Sequence, residues 1–297
     1  MRLEIIGLKL PEVTQEIDLL DAIVSAAEKQ AGGLRRDDVL VITSKIISKA
    51  RGYIFSIKEL EEKASGRAKR LAKYTRKPVW LVEGILRVSR RIVAAIPLTS
   101  IVDVEEFAEK YGAKRENVLE LLEKDPCVLV TAMPDGRLAT DAGIDSSNVP
   151  PGFACYPPLD PDKEARRIAL EIRKRTGKDV AVIIVDTEAS LTKIGSVDVA
   201  IGCSGIDPVD RCFGELDLYG KPKYGGIDLV ADEIACAAAL LIKQAAQGVP
   251  VVVIRGLKYK KTYSVGVKDI YIPRKTLRKG ILKTFLATAK LKLLRLI

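Results

Sequence analysis

Residues 138–149 are the part of the chain whose side chains are best suited to chemistry. Their sequence, LATDAGIDSSNV, places two carboxylates, three hydroxyls, a carboxamide and a glycine in a run too polar for a core. Oxygen ligands of this kind suit Mg²⁺ or Mn²⁺, which proteins usually hold with one or two carboxylates, leaving room for phosphates. The alternative is an ordinary turn, because Asp, Gly, Ser and Asn all favour turns.

A second feature further along the chain favours the metal site over the turn. Residues 180–187, VAVIIVDT, are typical of a buried strand, and this strand ends in Asp186 and Thr187. The sequence therefore predicts that Asp145, in the polar run, and Asp186, at the end of the strand, jointly bind a divalent metal.

A third segment supplies positive charge. Residues 37–49, DDVLVITSKIISK, run from a turn into an apolar strand and end in hydroxyls and lysines. Ser44 and Lys45 would lie at the end of the strand, and Lys49 would follow one helical turn later, which suggests a phosphate cradle. The alternative is the solvated start of a helix. Neither G-x-x-x-x-G-K-[ST] nor G-x-G-x-x-G occurs, so the P-loop and the dinucleotide fingerprint are excluded.

The chain contains no histidine, and this absence limits the possible chemistry. It removes the commonest general base, the usual zinc ligand and every Ser-His or Cys-His nucleophile arrangement. Acid–base steps must use carboxylates, lysines or tyrosines. Phosphoryl transfer fits this restriction, because it depends on metal ions and cationic side chains that neutralise charge on the transferring oxygens.

The composition indicates a soluble globular protein. Its 297 residues, 47% hydrophobic and 30% charged, suffice for one large or two medium domains. No apolar run approaches the roughly 20 residues of a membrane helix, and the N-terminus lacks a signal peptide's features, so we expect a cytoplasmic protein. Five cysteines without a C-x-x-C pair indicate neither a zinc ribbon nor a disulfide framework. Richness in Lys, Arg, Glu, Ile and Val is typical of thermophile proteins.

The remaining segments predict mostly helices. Residues 59–89 have a basic helical pattern, residues 102–124 read as two charged helices separated near Gly112, and prolines at 150–161 precede a helix at 163–176. A helix at 229–247 and a strand at 249–254 follow. Residues 276–297 should form a basic amphipathic helix. We expect its apolar stripe to pack on the body or on a dimer partner; adsorption to an anionic membrane is the alternative.

Eight short motifs follow one another in a recognisable order. They are LPE at 10–12, TSKIISKA at 43–50, DAGIDSSN at 141–148, PLDPD at 158–162, VIIVDT at 182–187, DVAIG at 198–202, VADEIA at 230–235 and VVVIRG at 251–256. This order resembles the coenzyme F420-0:γ-glutamyl ligases, which append L-glutamate to the lactyl carboxylate of the deazaflavin coenzyme and consume GTP. The resemblance extends from residue 1 to about residue 258.

The resemblance implies an α+β fold with mixed sheets and flanking helices in two lobes, and an intertwined homodimer. It implies a ligase-like domain at 1–260, with a lobe boundary near 150–160 and a helical insertion at about 97–125. A basic amphipathic extension would occupy 261–297. These divisions are expectations from the family.

The resemblance also implies a set of site residues and a reaction. The residues that would border the guanine nucleotide are Leu10, Pro11, Glu12, Val13, Ser44, Lys45, Lys49 and Asn148. Asp145, Asp186 and Thr187 would ligate Mg²⁺ or Mn²⁺. Gln244 stands where the family has a metal-binding glutamate and could offer a neutral oxygen. Lys45 and Lys49 would act as catalytic residues while GTP converts the acceptor carboxylate into an acyl phosphate, from which the glutamate amine displaces phosphate.

The sequence departs from the family pattern mainly at positions that the resemblance places near the substrate. After Asp186 and Thr187 the family continues with a G-R-x-x-R type run, whereas residues 188–195 read EASLTKIG. Lys243 and Gln244 replace a glycine and a glutamate, and Arg51 replaces a glutamate. These changes predict a poor or altered F420-0 ligase with a different acceptor, because an arginine fork is lost that lysine does not replace.

Three functional interpretations stay open. The first is a GTP-dependent ligase that joins L-glutamate to F420-0 or another carboxylate metabolite. The second is a paralogue that binds nucleotide or metabolite without ligation. The third is a nucleic-acid or membrane-surface binder, based on the net charge of +10. Charge alone is weak support, because basic surfaces also attract phosphorylated metabolites. We expect no nucleic-acid partner and no integral membrane segment.

Overall fold

The structure is a computed structural model that describes residues 2–100, 102–111, 114–190, 193, 195–243 and 247–294. The strands in these ranges are β1 Glu4–Leu8, β2 Val39–Thr43, β3 Ile54–Ser56, β4 Arg91–Pro97, β5 Cys127–Ala132, β6 Leu138–Thr140, β7 Phe153–Cys155, β8 Ala181–Ala189, β9 Ser196–Ser204, β10 Asp210–Arg211, β11 Ile227–Asp228 and β12 Val251–Arg255. The helices are α1 Leu19–Ala31, α2 Ser44–Arg51, α3 Ile57–Glu62, α4 Gly66–Thr75, α5 Val79–Val88, α6 Val104–Tyr111, α7 Arg115–Lys124, α8 Pro161–Thr176, α9 Val230–Ile242 and α10 Arg274–Leu293. None of the described helices combines the length and apolar character that a membrane crossing requires.

Five strands form the large sheet, in the order β1-β12-β2-β8-β9. The strands β2 and β8 are parallel, and the other neighbours are antiparallel. The central strands β12, β2 and β8 consist largely of buried Val, Ile and Leu, because helices cover both faces of the sheet. Helices α1 and α8 pack on one face, and α9 packs on the other.

Local sequence signals set the ends of the covering helices. The Asp160 side chain accepts a hydrogen bond from Lys163 N at the start of α8, and Pro161 occupies the first helical turn, where its missing N–H costs nothing. Gly177 ends α8 in the left-handed conformation. Asp18 and Gly32 perform the same two functions for α1. These caps fix the lengths of the helices that cover one face of the sheet.

Residues 53–157 leave the large sheet after α2 and return to it at α8. They contain the antiparallel pair β3–β7, the three-stranded sheet β4-β5-β6 and the helices α3 to α7. A separate core that includes Ile85, Leu129 and Met133 holds these elements together. The two predicted charged helices are present as α6 and α7.

The architecture is a mixture of helices and several sheets, which is consistent with the predicted α+β class. The predicted lobes, the helical insertion and the homodimer stay predictions. Two elements differ from the sequence prediction. Helix α9 ends at Ile242 because Lys243 has a positive φ of 55°, which does not continue a helix. Strand β8 continues to Ala189 because β9 pairs with it along this length, so Asp186 and Thr187 lie within the strand and not at its end.

The chain beyond β12 is anchored to the body before α10 begins. Asp162 is buried, and its carboxylate accepts hydrogen bonds from the backbone N–H groups of Cys203, Val267 and Lys268. A Cβ on Gly266 would lie 2.3 Å from the Asp162 carboxyl carbon, so only glycine allows this approach. These contacts fix residues 266–268 against α8 and β9.

The expectation that the apolar stripe of the C-terminal helix packs on the body is wrong. The helix is present as α10, but its apolar side chains lie in solvent, with Ile281 62% and Phe285 69% exposed. Periodicity predicts that a helix has an apolar face, but it does not determine which surface covers that face. Packing on a dimer partner stays a prediction.

Candidate active site

The predicted site residues meet in one cavity of about 750 Å³. Eleven of the twelve line it, and they are Leu10, Pro11, Glu12, Val13, Ser44, Lys45, Lys49, Asp145, Asn148, Asp186 and Thr187. The twelfth, Gln244, lies outside the described residues. Segments that are far apart in sequence therefore form a single polar cavity, while the roles assigned to its residues stay predictions.

The large sheet explains why these side chains converge. Strands β2 and β8 are parallel neighbours, and Thr43 is in register with Val185. The next residues, Ser44 and Asp186, therefore lie side by side at the point where β2 ends, while β8 continues beside β9 to Ala189. Helix α2 begins at Ser44 without a side-chain cap, so its first N–H groups lack intrahelical partners. Such a helix start favours an anion.

Two lysines of α2 contact acidic or carbonyl oxygens across the cavity. Lys45 Nζ lies 2.5 Å from Asp145 Oδ2, 2.8 Å from Ser147 Oγ and 2.9 Å from the Ser147 carbonyl oxygen. Lys49 is buried, pairs with the Glu12 carboxylate and donates to the Asn148 carbonyl oxygen at 3.3 Å. Each of the two lysines is therefore paired with a carboxylate.

Asp145 is held in place by its own loop. Its backbone exchanges two hydrogen bonds with Cys155, and its carboxylate accepts from Ser147 N and Ser147 Oγ, both at 2.7 Å. Burial alone would raise the pKa of Asp145, but the hydrogen bonds from Lys45 and Ser147 outweigh burial and lower it. Asp145 is consequently ionised at neutral pH.

Asp186 has the opposite electrostatic environment. Burial raises the pKa of its carboxyl to about 6, and the nearby charge of Asp145 adds to this effect. The hydrogen bond from Thr187 N to Asp186 Oδ1 and the positive charges of Arg137 and Lys45 only partly oppose it. A charged Asp186 is therefore costly unless a cation approaches it.

Sequence reasoning missed Asp198, which also lines the cavity. Asp198 is buried, and it is paired with Thr187 in the β8–β9 register. Its Oδ1 accepts a hydrogen bond from the Thr187 hydroxyl, and the two oxygen atoms lie 2.9 Å apart. The motif DVAIG at 198–202 contained this carboxylate, but only the strand pairing shows that it reaches the cavity.

A left-handed turn connects β6 to Asp145. Asp141, Ala142 and Gly143 all have positive φ angles, of 47°, 58° and 69°. A Cβ on Gly143 would lie 2.9 Å from Pro157 Cγ and 3.3 Å from Asp186 Oδ2, so the turn touches the second carboxylate. Two non-glycine residues in this conformation need support from their surroundings.

Lys77, which sequence reasoning also missed, supplies that support from behind the cavity. Its ammonium is fully buried and lies 2.5 Å from Asp125 Oδ1, 2.5 Å from the Cys127 carbonyl oxygen and 3.1 Å from Asp141 Oδ2. The other oxygen of Asp141 accepts from Leu129 N. Lys77 thus fixes the start of the left-handed turn that leads to Asp145.

The residues that depart from the family pattern lie around Asp186. Burial raises the pKa of Glu188, and the charges of Asp186 and Asp232 raise it further. Arg137 is buried with its partner Asp135 and is close enough to lower the pKa of both Asp186 and Glu188. Residues 191, 192 and 194 lie outside the described residues. Arg51 pairs with Glu164, at 2.9 Å.

The donor set of the cavity fits a hard divalent cation. No group of three or more Cys, Asp or Glu side chains placed to hold a metal occurs among the described residues. The protein would therefore supply two carboxylates, Asp145 and Asp186, with the Thr187 hydroxyl beside them. Mg²⁺ commonly binds through one or two carboxylates, and phosphates and water complete its coordination.

Fold and cavity together define a mixed α/β protein with a polar ligand cavity at the carboxyl ends of its parallel strands. The model of the F420-0:gamma-glutamyl ligase family matches residues 7–256. The chain belongs to this family.

Several curated relatives match almost the whole chain. The coenzyme F420:L-glutamate ligase of Methanosarcina mazei is 35% identical over 273 residues, which cover 92% of this chain and 93% of that protein. The protein of the same name from Methanothermobacter thermautotrophicus is 35% identical, with 92% and 97% covered. That of Archaeoglobus fulgidus is 34% identical, with 86% and 89% covered.

Replacing Lys77 by Met should destabilise the protein and disturb the cavity. Loss of the ammonium leaves the Asp141 carboxylate buried without its cation, and breaking a buried pair in this way costs about 3 kcal/mol or more. Urea unfolding measures this loss. The combined change Lys77→Met and Asp141→Asn should recover part of it, because the carboxylate charge is then gone. Equal stability of the wild type and Lys77→Met would contradict the assigned support.

Replacing Asp186 by Asn should stabilise the metal-free protein at neutral pH. The folded pKa of about 6 exceeds the ordinary value of 3.8, so the charged carboxylate destabilises the fold above pH 6. At about 1.4 kcal/mol per pKa unit, we expect a gain of about 3 kcal/mol at pH 7 that disappears below pH 4. Urea unfolding with chelator at several pH values tests this expectation.

Asp145→Asn is the matched control and should show the opposite sign. The pKa of Asp145 is lowered, so its charge stabilises the fold above its ordinary value of 3.8, and this contribution is lost as the pH falls. The variant should be less stable at pH 7 and approach the wild type in acid. A gain from Asp186→Asn that is the same at pH 4 and pH 8 would refute the assigned electrostatics.

Proposed function

We propose that the protein is a GTP-dependent ligase that joins L-glutamate to a carboxylate acceptor, either coenzyme F420-0 or a related metabolite. The observation that carries this proposal is the cavity itself. In a chain of this family, whose relatives are named coenzyme F420:L-glutamate ligase, it joins Asp145, Asp186, Lys45 and Lys49 at one sheet edge.

The guanine nucleotide would lie along residues 10–13 and the start of α2. The free N–H groups at Ser44 and the ammonium groups of Lys45 and Lys49 are suited to phosphate oxygens. Both lysines are paired with carboxylates in the ligand-free chain, so phosphates would replace Asp145 and Glu12 as their partners.

Mg²⁺ or Mn²⁺ would be held by Asp145 and Asp186, with Thr187 beside them. When bound, a divalent cation neutralises charge on phosphate oxygens. Release of Asp145 from Lys45 would free its carboxylate for the cation, while Lys45 turns to the phosphates. The thermodynamic cost of keeping Asp186 charged would then be offset by the cation.

The proposed reaction has two steps. An oxygen of the acceptor carboxylate attacks the γ-phosphorus, the bond to the β-bridging oxygen breaks, and GDP leaves an acyl phosphate behind. The glutamate nitrogen then attacks the acyl carbon, and the bond to the phosphate oxygen breaks. The amine's proton passes to water or to a cavity carboxylate. Positioning by the lysines and the helix start supplies most of the protein's contribution.

The acceptor is proposed to differ from that of the family's standard enzymes. Residues 188–190 begin a run without the two arginines of the family pattern, and Glu188 places a carboxylate near Asp186 instead. Arg137, which is buried against Asp135, supplies positive charge that lowers the pKa of both carboxylates. An acceptor with fewer anionic groups would fit this environment better.

A homodimer is proposed as well, on the basis of the arm at residues 210–228. The arm contains the short pair β10–β11 and exposes large apolar side chains, which are Phe213, Leu216, Leu218, Tyr219, Tyr224 and Ile227. A contiguous apolar surface of this kind is typical of a protein–protein interface.

The function is tested by incubating the protein with F420-0, L-glutamate, GTP and Mn²⁺ and measuring glutamate addition by mass spectrometry. Asp145→Ala and Asp186→Ala should each weaken Mn²⁺-dependent GTP binding at least tenfold in calorimetry, because each removes a charged ligand. Asp210→Ala, an exposed carboxylate on the arm, is the control and should bind normally. Normal binding by both cavity variants, with the fold intact, would refute the metal site.

The altered acceptor is tested by comparing turnover of F420-0 with that of the Methanosarcina mazei relative under the same conditions. Loss of an arginine fork costs about 1.5 to 3 kcal/mol, so we expect roughly ten- to hundredfold lower kcat/KM for this chain. Equal turnover would contradict an altered acceptor. GTP binding without glutamate addition to any carboxylate offered would support the paralogue that binds without ligation.

A further inference from the structure

Helix α10 is exposed along its whole described length. Every residue from 275 to 294 is exposed, except Thr288, which is half-buried. The apolar side chains that a globular body would normally cover are therefore in water, including Leu282 at 59% and Leu286 at 57% exposure. A helix of this kind gains no stability from burial in the chain itself.

The same segment carries most of the excess positive charge of the protein. Residues 274–297 contain eight of the 49 basic residues and none of the 39 acidic ones, whereas the net charge of the whole chain is +10. The body formed by the rest of the chain is consequently close to neutral. The surface that covers α10 must therefore supply negative charge from elsewhere.

Most of the large apolar side chains of α10 lie on one half of the helix circumference. At 100° per residue, Leu277, Ile281 and Phe285 form a stripe at i, i+4 and i+8, and Leu282 and Leu286 widen it to about half the circumference. Three lysines flank one edge of this half: Lys279, Lys283 and Lys290. Lys275, Arg278 and Lys292 lie within the apolar half towards the helix ends, where long side chains can bend back towards water.

We propose that α10 binds in the plane of an anionic lipid surface and attaches the protein peripherally to a membrane. The apolar half would enter the boundary between headgroups and acyl chains, and the lysines would contact lipid phosphates. Leu, Ile and Phe on one half of the helix, with three lysines beside them and no acidic residue, are features that interfacial helices share. An anionic lipid surface would both bury the apolar stripe and pair with the positive charges.

The other possible occupants satisfy only one of these two features. A second copy of the chain could cover the apolar stripe, but it brings another helix without acidic residues and a nearly neutral body. A nucleic acid would attract the lysines, but its phosphate backbone gives Ile281 and Phe285 no apolar environment. Charge complementarity and apolar area together favour the membrane.

Helix α10 is connected to the body by a short, well-anchored segment. The Asp162 carboxylate holds Val267 N at 2.9 Å and Lys268 N at 3.1 Å, and α10 begins only a few residues later, after Pro273. The root of the helix is therefore tied to α8 and β9. Binding of α10 to lipid would hold the whole body at the surface.

The proposal is tested by vesicle sedimentation of the full chain. We expect the protein to bind vesicles of phosphatidylcholine and phosphatidylglycerol in equal parts, to lose binding at high salt, and not to bind pure phosphatidylcholine vesicles. Ile281→Ser with Phe285→Ser should lower the partition constant at least tenfold, because the stripe is lost. Lys279→Gln with Lys283→Gln should lower it about thirtyfold at low salt.

Two matched control variants test whether vesicle binding depends on α10 or on exposed apolar and basic side chains in general. Tyr74→Ser with Leu240→Ser removes two exposed apolar side chains outside α10 and the arm, and Lys69→Gln with Lys73→Gln removes two charges from the basic helix α4. Both should bind vesicles like the wild type.

Three results would overturn the proposal. One is equal binding of the wild type to neutral and anionic vesicles. Another is unchanged vesicle binding by the α10 variants combined with loss of a dimer in analytical ultracentrifugation, which would assign the stripe to a second copy. The last is absence of vesicle binding together with duplex DNA binding that survives the Ile281 and Phe285 changes.

Discussion

The parallel register between β2 and β8 is the constraint on which the cavity depends. It aligns Thr43 with Val185, so the start of α2 lies beside Asp186 of β8. Side chains alternate between the faces of a strand, so a slip of one residue would turn Asp186 away from Lys45. The β8–β9 pairing has a bulge between Ile184 and Val185, immediately before Asp186, and bulges commonly re-aim side chains next to sites. Helices on both faces then fix this register by burying the strands.

The second determinant is the charge balance that this edge creates. Lys45 and Lys49 are each satisfied by a carboxylate, whereas Asp186 is left with burial and the nearby negative charge of Asp145. The charges of the two lysines are therefore neutralised, whereas the charged form of Asp186 is disfavoured. An unfavourable buried charge is common at functional sites, and a bound cation would offset its free energy here. The contacts of Lys77 with Asp141 hold the left-handed turn in place, and this turn positions Asp145.

The sequence predicted the cavity residues better than it predicted their support. Asp145, Asp186 and Thr187 were found because strand ends and polar runs are local signals. Asp198 and Lys77 were missed because their roles depend on contacts that join distant parts of the chain, namely the β8–β9 pairing and the packing of α5 against β5. The amphipathic pattern of α10 predicted a helix correctly, but its expected packing on the body was wrong, since periodicity contains no information about the covering surface. Gln244, the fourth predicted metal ligand, lies outside the part of the chain that is described.

The central claim is that Asp145 and Asp186 form one cation site at the phosphates of a nucleotide. The most direct measurement is a crystal structure of the protein with GDP and Mn²⁺, with anomalous diffraction used to locate manganese. The account predicts GDP along residues 10–13 and the start of α2, with anomalous density within bonding distance of both carboxylates. Bound GDP without manganese at these two carboxylates, or manganese bound elsewhere in the chain, would contradict it.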